Sequence, residues 1–452
     1  MDQATFTRPY RGDELTVTID TLAHGGAGVA RHEGYVLFVQ GGIPGDTVRV
    51  VVGKAKRAYA EARAVEVLTP SPDRIEPLAG HPGAPWQVIP YAKQLEIKQQ
   101  QVDDSLRRIG KLDGFTLEPI VPAVQEWRYR NKLEYSFGTD DDGRLICGFH
   151  APGRWEDIVE VTDCLLASEK GNQAREEVVA WCRAQNLGAY DRRTNQGFLR
   201  NLVVREGRRT GEIQVRLVTS TANDLDVDAL IAACPTANGL LWTRLDSLGE
   251  TTMGGETALL AGADRLEEEL GGLQVSISGE AFFQTNTEMA EQLYALAIEY
   301  AELKGYERLY DLYCGIGTIG LLMAPRAAEL WGLEIVEDAI SDAIKNARRN
   351  EIDNAQFFAG DVRLVLRELV ERAGRPDVLV VDPPRAGLSQ KVVRRVIEAA
   401  PKRIVYVSCN PTTLAPNAAQ LVEAGYELTK VRPVDMFPQT PHVECVAQFE
   451  RR

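Results

Sequence analysis

One cysteine stands where a nucleophile could work. Cys409, in Ser408-Cys409-Asn410-Pro411, follows the apolar run 403–407. A thiol at a strand end is held in place by the sheet behind it, which suits covalent catalysis on an electrophilic ring. Earlier in the same half, Asp311-Leu312-Tyr313-Cys314-Gly315-Ile316-Gly317-Thr318 couples an acid at a strand end to a Gly-x-Gly turn. Glycines there let the backbone approach a ligand. The third glycine of a dinucleotide fingerprint is missing, since Ile319 follows Thr318. Glu334 lies at the end of the next strand-like run, where an acid can accept from both ribose hydroxyls. Asp361 follows the third, where an acid can accept from an adenine amine. Together these residues describe an adenosine pocket without a pyrophosphate, which fits S-adenosylmethionine. Each acid has a plainer reading as a helix N-cap. Asp382-Pro383-Pro384-Arg385 ends a further apolar run beside this pocket; its prolines stiffen the loop and remove two N–H donors. The plainer reading there is a rigid turn.

The pattern around these residues predicts the scaffold. From 282 onward helices and strands alternate: helix 288–303, strand 307–313, helix 315–324, strand 329–334, helix 336–350, strand 355–359, helix 362–373, strands 378–381 and 403–407, then β-like runs near 426–432 and 443–449. Such alternation gives a doubly wound, Rossmann-like α/β sheet. Residues 10–70 read differently, as short β-rich runs (15–19, 35–39, 47–52, 60–68) between glycine-rich turns, the pattern of a small OB-like barrel. A helix is predicted over 93–112. Residues 127–280 are mixed α+β, with strands near 133–137, 201–204, 213–218 and 272–277 and a helix near 171–184. The expected domains are therefore a barrel over 1–70, a central unit over 71–92 and 127–280, and a catalytic unit over 93–126 and 281–452.

Composition narrows the setting. A chain of 452 residues with 44% apolar content suits several domains. It contains no apolar run long enough to span a membrane and no secretory signal pattern at Met1. Seven scattered cysteines argue for a reducing cytoplasm rather than a disulfide framework. A net charge of −14 opposes general nucleic-acid affinity. Local basic stretches exist nonetheless, at Lys54, Lys56 and Arg57, at Arg128, Arg130 and Lys132, and at Arg192, Arg193, Arg200, Arg205, Arg208 and Arg209. They read either as solvated faces or as the footprint of a large anion bound on one side.

The motifs, taken in order, resemble the RNA uracil-C5 methyltransferases, which make 5-methyluridine. The resemblance covers nearly the whole chain. Residues 12–68, with His24-Gly25-Gly26-Ala27-Gly28 and Pro44-Gly45-Asp46, look like the TRAM domain. Phe282-Phe283-Gln284-Thr285-Asn286, Asp311 to Gly315, Asp382 to Arg385, Ser408 to Pro411 and His442-Val443-Glu444 match the catalytic half. The resemblance implies Cys409 as nucleophile and Glu444 as the base that removes the C5 proton. It implies Gln284, Asp311, Tyr313, Gly315, Glu334, Asp361 and Asp382 around S-adenosylmethionine. Gln284 is also placed at the uracil edge, Phe282 on the ring face, and Asn286, Arg130 and Lys132 as RNA contacts or active-site support. The implied partner is RNA, first ribosomal (23S), alternatively transfer RNA, met by a monomer with no membrane attachment. Many family members hold an iron–sulfur cluster on four cysteines. Here three of those positions read Ile75, His81 and Ala84, leaving Cys164, so no cluster and no other metal are expected.

Two readings compete with this one. An amino-group methyltransferase would share the Asp-Pro-Pro loop but has no need of Cys409. A non-catalytic RNA-binding protein would keep the barrel and a decayed pocket.

Overall fold

The computed structural model describes residues 8–247 and 249–452. The chain opens with β1 (Glu14–Leu22), β2 (Gly28–His32), β3 (Tyr35–Gln40), β4 (Thr47–Ala55) and β5 (Tyr59–Thr69), which close into a barrel in the order β1-β2-β3-β5-β4. Strict alternation along β1, β3 and β4 sends Val17, Ile19, Leu37, Val39, Val48 and Val50 into its core. Sequence periodicity leaves β2 inside a glycine-rich stretch; it forms because Gly28 packs its bare Cα against Ile19 while Ala30 fills the barrel interior.

The link carries α1 (Tyr91–Asp104), which ends in a wide π-turn over Ser105–Ile109, and the short strand β6 (Thr116–Leu117). The central unit follows: β7 (Lys132–Thr139), β8 (Leu145–Ala151), β9 (Arg154–Glu160), α2 (Glu169–Ala184), β10 (Leu199–Glu206), β11 (Ile213–Thr219), α3 (Val227–Ala233), β12 (Gly239–Arg244) and β13 (Glu256–Gly262). Its seven strands form one sheet, ordered β13-β12-β11-β10-β7-β8-β9. One face is apolar and packs under α2 and α3 through Leu133, Tyr135, Leu202, Val204, Val215 and Leu217. The other face carries Lys132, Glu134, Ser136, Asn201, Arg205 and Arg216, by the same two-residue alternation.

The hairpin of β14 (Arg265–Leu270) and β15 (Leu273–Ser278) packs into the core beneath α4 (Thr287–Ala301). Then come β16 (Arg308–Leu312), α5 (Thr318–Met323), β17 (Glu329–Glu334), α6 (Glu337–Arg349), β18 (Ala355–Ala359), α7 (Val362–Ala373), β19 (Val378–Val381), α8 (Gln390–Ala399), β20 (Arg403–Ser408), α9 (Pro411–Glu423), β21 (Tyr426–Val434) and β22 (Glu444–Arg451). The sheet order is β18-β17-β16-β19-β20-β22-β21-β6. The strands from β18 to β20 are parallel, and β22 pairs antiparallel with both β20 and β21. Central strands such as β19 and β20 are buried on both faces, as a parallel sheet between helical layers requires. The order in which the chain lays down its strands reverses between β16 and β19, and ligands of such sheets bind at the strand ends beside that point.

Candidate active site

Residues distant in sequence meet because of strand register. Ser408 pairs with Cys445 across β20 and β22, so the next pair beyond the strand end is Cys409 and Glu444. Both then project to the same side of the sheet. The Asp382–Arg385 loop leaves the neighbouring strand β19. Asn410 fastens the two loops: its Nδ2 donates to the Arg385 carbonyl at 3.1 Å while its Oδ1 accepts from Thr412 N at 3.0 Å and caps α9. Pro411 at the first helical position costs no hydrogen bond there. Asn417 closes the other side, accepting from Leu388 N at 2.8 Å and from the Tyr406 hydroxyl at 3.0 Å.

The electrostatics are those of buried acids gathered around one cation. Burial, with the Glu444 and Asp382 carboxylates beside it, pushes the Cys409 thiol up to about 12, while Arg385 pulls it down. Burial and Asp382 hold Glu444 well above the carboxylate range, again opposed by Arg385. Burial alone raises Asp382 to about 7. His442, buried and facing Arg385, Lys98, His24 and Arg130, drops to about 4 and is neutral at physiological pH.

The adjacent half of the site lies at the tips of β16, β17 and β18. Asp311 Oδ2 accepts from Gly320 N at 2.9 Å, anchoring α5, while Oδ1 is buried without a partner. Its carboxyl rises to about 8, chiefly through burial. Glu334 accepts from the backbone N–H groups of Gly315, Ile335 and Val336 at 3.3, 2.7 and 3.1 Å. Gly315 adopts φ of 54°, and a Cβ there would point into open space. A cleft of about 250 Å³ continues from this turn, lined by Tyr313, Ile335, Asp361, Val362, Arg363 and Ser389. An acid with an unused oxygen, a second acid at the next strand end and an open glycine turn fit an adenosyl group carrying a cationic sulfonium.

Not every residue marked in the sequence reaches this pocket freely. Asn286 is buried and caps α4: its Oδ1 accepts from Met289 N and its Nδ2 donates to Met436 O at 2.9 Å. Both ends of its amide are occupied, and through Met436 O it holds the 435–437 segment. Asp361 caps α7 and pairs with Arg363, so its carboxylate lies on the cleft wall already neutralised. Lys132 pairs with Glu134, and Arg130 donates through Nε to Lys132 O at 3.0 Å. Gln284 is buried, with its carbonyl held by Asn131 Nδ2 at 2.9 Å. Phe282, in contrast, is 70% exposed, a large aromatic presented to solvent.

Three features escaped sequence reasoning. Arg385 is the one cation shared by thiol and base; its signal was its fixed place after Asp-Pro-Pro. Lys98 and Asp435 form a fully buried ion pair at 2.5 Å that ties α1 to the segment leading to Glu444. No local pattern could announce a partner so far along the chain. Finally, the β1–β2 turn of the barrel reaches the site rim. Gly26 sits so close to Pro441 that a Cβ would come within 2.9 Å of its side chain. Gln101 of α1 donates to the carbonyls of Leu22 and Ala23 at 3.3 and 3.2 Å.

At the position of the iron–sulfur segment, His81 Nε2 lies 3.2 Å from Cys164 Sγ, and the imidazole packs on Phe149, which in turn packs on Tyr135. These residues do not fit a group that needs four thiolates. Among the described residues no three His, Cys, Asp or Glu side chains converge as metal ligands, and no helix is long and apolar enough to cross a membrane.

Comparison with known proteins bears on this geometry. The chain is 38% identical to an uncharacterized RNA methyltransferase of Halalkalibacterium halodurans, over 97% of each chain. It is 39% identical to another of Caldanaerobacter subterraneus, covering 98% of this chain and 99% of the relative. The family model described as tRNA (uracil-5-)-methyltransferase matches residues 273–452, and the TRAM domain model matches residues 8–65. The chain belongs to the RNA uracil-C5 methyltransferases. Its fold is that of the Pyrococcus abyssi tRNA (uracil-54, C5)-methyltransferase, solved with S-adenosyl-L-homocysteine: TM-score 0.78, 28% identity, covering 96% of this chain and 99% of that one. This methyltransferase is S-adenosylmethionine-dependent, and its barrel is a TRAM domain.

Proposed function

We propose that the protein methylates C5 of a uridine in RNA through a covalent Cys409–C6 adduct. The observation that carries this reading is the meeting of Cys409 and Glu444 across the ends of β20 and β22, with Arg385 acting on both. C5 of uracil is too weak a nucleophile alone. Addition of the Cys409 sulfur to C6 moves the C5–C6 electron pair toward O4 and gives C5 carbanion character. When bound, S-adenosylmethionine supplies an electrophilic methyl on a sulfonium; C5 would form its bond to that methyl as the methyl–sulfur bond breaks and S-adenosylhomocysteine leaves. Glu444 then takes the proton from C5, the C5–C6 double bond re-forms, and the thiolate leaves. Arg385 stabilises the negative charge as it passes from sulfur to the ring oxygen. Asp311, Glu334, Gly315 and Tyr313 hold the cofactor, with Asp361 on the cleft wall, and Asp382 and Gln284 lie between cofactor and base. Phe282 stacks on the uracil. C5 cannot be reached in a stacked helix, so the target lies in a loop or is flipped out. The TRAM barrel and the central unit hold the flanking strand.

The first substrate reading is 23S ribosomal RNA, resting on the barrel-first organisation of the chain. Transfer RNA is the second, favoured by the likeness to the Pyrococcus enzyme. Methyl-labelled S-adenosylmethionine incubated with separated RNA pools, followed by nucleoside analysis, distinguishes them. Label in 5-methyluridine that disappears with Cys409→Ala supports the chemistry, and the labelled pool names the substrate. Label on an amino nitrogen would overturn the thiol mechanism.

A further inference from the structure

The polar face of the seven-stranded sheet holds a second candidate site. In a chain of net charge −14, five cations gather there: Lys132, Arg192, Arg200, Arg205 and Arg216. Arg200, Arg205 and Arg216 are each at least 96% buried, and each has at least one guanidinium nitrogen without a hydrogen-bond partner. Buried guanidinium groups are normally satisfied. Here the satisfaction is incomplete: Arg200 and Arg205 donate to backbone carbonyls, and Arg216 to the Glu280 carboxylate at 3.2 Å.

The clearest case is Glu250. It sits at the surface, in the segment 249–254, with its carboxylate inserted over the cations. It accepts from Arg192 Nε and Nη2 at 2.6 and 2.9 Å, from Asn201 Nδ2 at 3.1 Å and from Ser136 Oγ at 3.2 Å. His150 Nε2 lies 3.3 Å away. Arg200 donates to Gly249 O at 2.9 Å, while its Nε and Nη1 and the Asn201 Oδ1 remain unused. Besides Gly249 O, the segment meets the sheet through the Glu250 carboxylate and through Thr252 Oγ1, which donates to Glu134 at 2.9 Å. A two-pronged guanidinium beside amide and hydroxyl donors is the donor set of a phosphate site, and a carboxylate is its nearest protein imitation.

The face also leads to the active site. Asn201 and Arg205 lie four residues apart on β10, roughly 13 Å along an extended strand. Arg205 then donates to the carbonyls of Ser278 and Ala281, immediately before the exposed Phe282.

We propose that Arg192, Arg200, Asn201 and Ser136 bind a phosphodiester of the RNA strand flanking the target uridine, and that Glu250 occupies this site until RNA displaces it. The inference rests on the reading of the protein as an enzyme of RNA. Displacing Glu250 exposes one more cationic contact, which steepens the dependence of affinity on salt by about 0.7 in log–log slope for a single strand.

The test uses the full protein without methyl donor and a fluorescent oligouridylate, with binding followed by anisotropy across a salt series. Glu250→Gln keeps the shape and removes the charge. It should bind severalfold tighter, with a slope steeper by about 0.7, and Arg192→Gln should weaken both. Hydrogen exchange on the unmodified protein gives an independent readout: amides in 249–254 should exchange faster when RNA is bound. Equal or weaker binding by Glu250→Gln with an unchanged slope would overturn the proposal. Slower exchange of the segment, or no binding by either protein, would do the same. Methyl transfer is measured separately, so loss of the proposed activity with intact coupling would sink only the catalytic reading.

Discussion

The environment of Cys409 predicts a nucleophile that is asleep in the free enzyme. Six of the seven cysteines are buried and Cys409 is half-buried, so it is the thiol a small reagent can reach. Its pKa is pushed from an ordinary value near 9 to about 12. At pH 8, a thiol of pKa near 9 is about one-tenth thiolate, whereas one near 12 is about one ten-thousandth. That thousandfold deficit corresponds to about 4 kcal/mol against the thiolate. Iodoacetamide trapping, with the Cys409 peptide quantified by mass spectrometry, reads it directly. The logarithm of the rate should climb by about one for each pH unit between pH 7 and 10.5, without levelling. Asp382→Asn removes one opposing carboxylate and should speed trapping; Arg385→Gln removes the supporting cation and should slow it. A plateau below about pH 9 in the unmodified enzyme would refute the reasoning, because the thiolate would then be preformed. Activation would not need the substrate.

Other expectations follow from the same geometry. Glu444→Gln should still form the adduct and accept the methyl but fail to release product, so protein–RNA conjugates should persist on denaturing gels; their absence would remove Glu444 from the elimination step. Lys98→Met strands Asp435 as a buried lone charge and should cost about 3–5 kcal/mol in denaturant unfolding, most of it recovered when Asp435→Asn is added; an unrecovered loss would mean the pair is not the cause. Asp311 and Asp382 bind protons in the folded state up to about pH 8 and 7, well above their unfolded value near 3.8. Their stabilising contribution is complete below that unfolded value and fades as pH rises through 7 to 8, so the cofactor-free protein should melt lower at pH 9 than at pH 5. Asp382→Asn should flatten that profile, which thermal scans across the range would show.

How much of this was written in the sequence depends on whether the signal was local. Strands β17 and β19 fall on their apolar runs, because a strand buried on both faces has nowhere else to put them. The thiol, the Asp-Pro-Pro-Arg loop and the glycine turn were likewise visible as short motifs. Helices α8 and α9 went unread, although Ser389 caps the first and Asn410-Pro411 opens the second; the chemistry of Ser-Cys-Asn-Pro drew attention away from its capping role. Asn286 carries a cap signal as well, since its side chain accepts from Met289 N at the start of α4. The pairing of Cys409 with Glu444, the Lys98–Asp435 bond and the reach of Arg385 depend on register between segments far apart in the chain. No window of neighbouring residues contains that information.

The seat of Gly26 against Pro441 has a further consequence. Because the barrel is braced on the catalytic rim through that contact and through Gln101, the span from barrel to thiol is a fixed gauge rather than a tether. On the proposed function, an RNA would have to present its flanking nucleotides at that span on arrival, with little ordering of the protein left to oppose binding. Substrates would thus be sorted by their shape before any base is read, as a caliper sorts parts by width without regard to what is stamped on them.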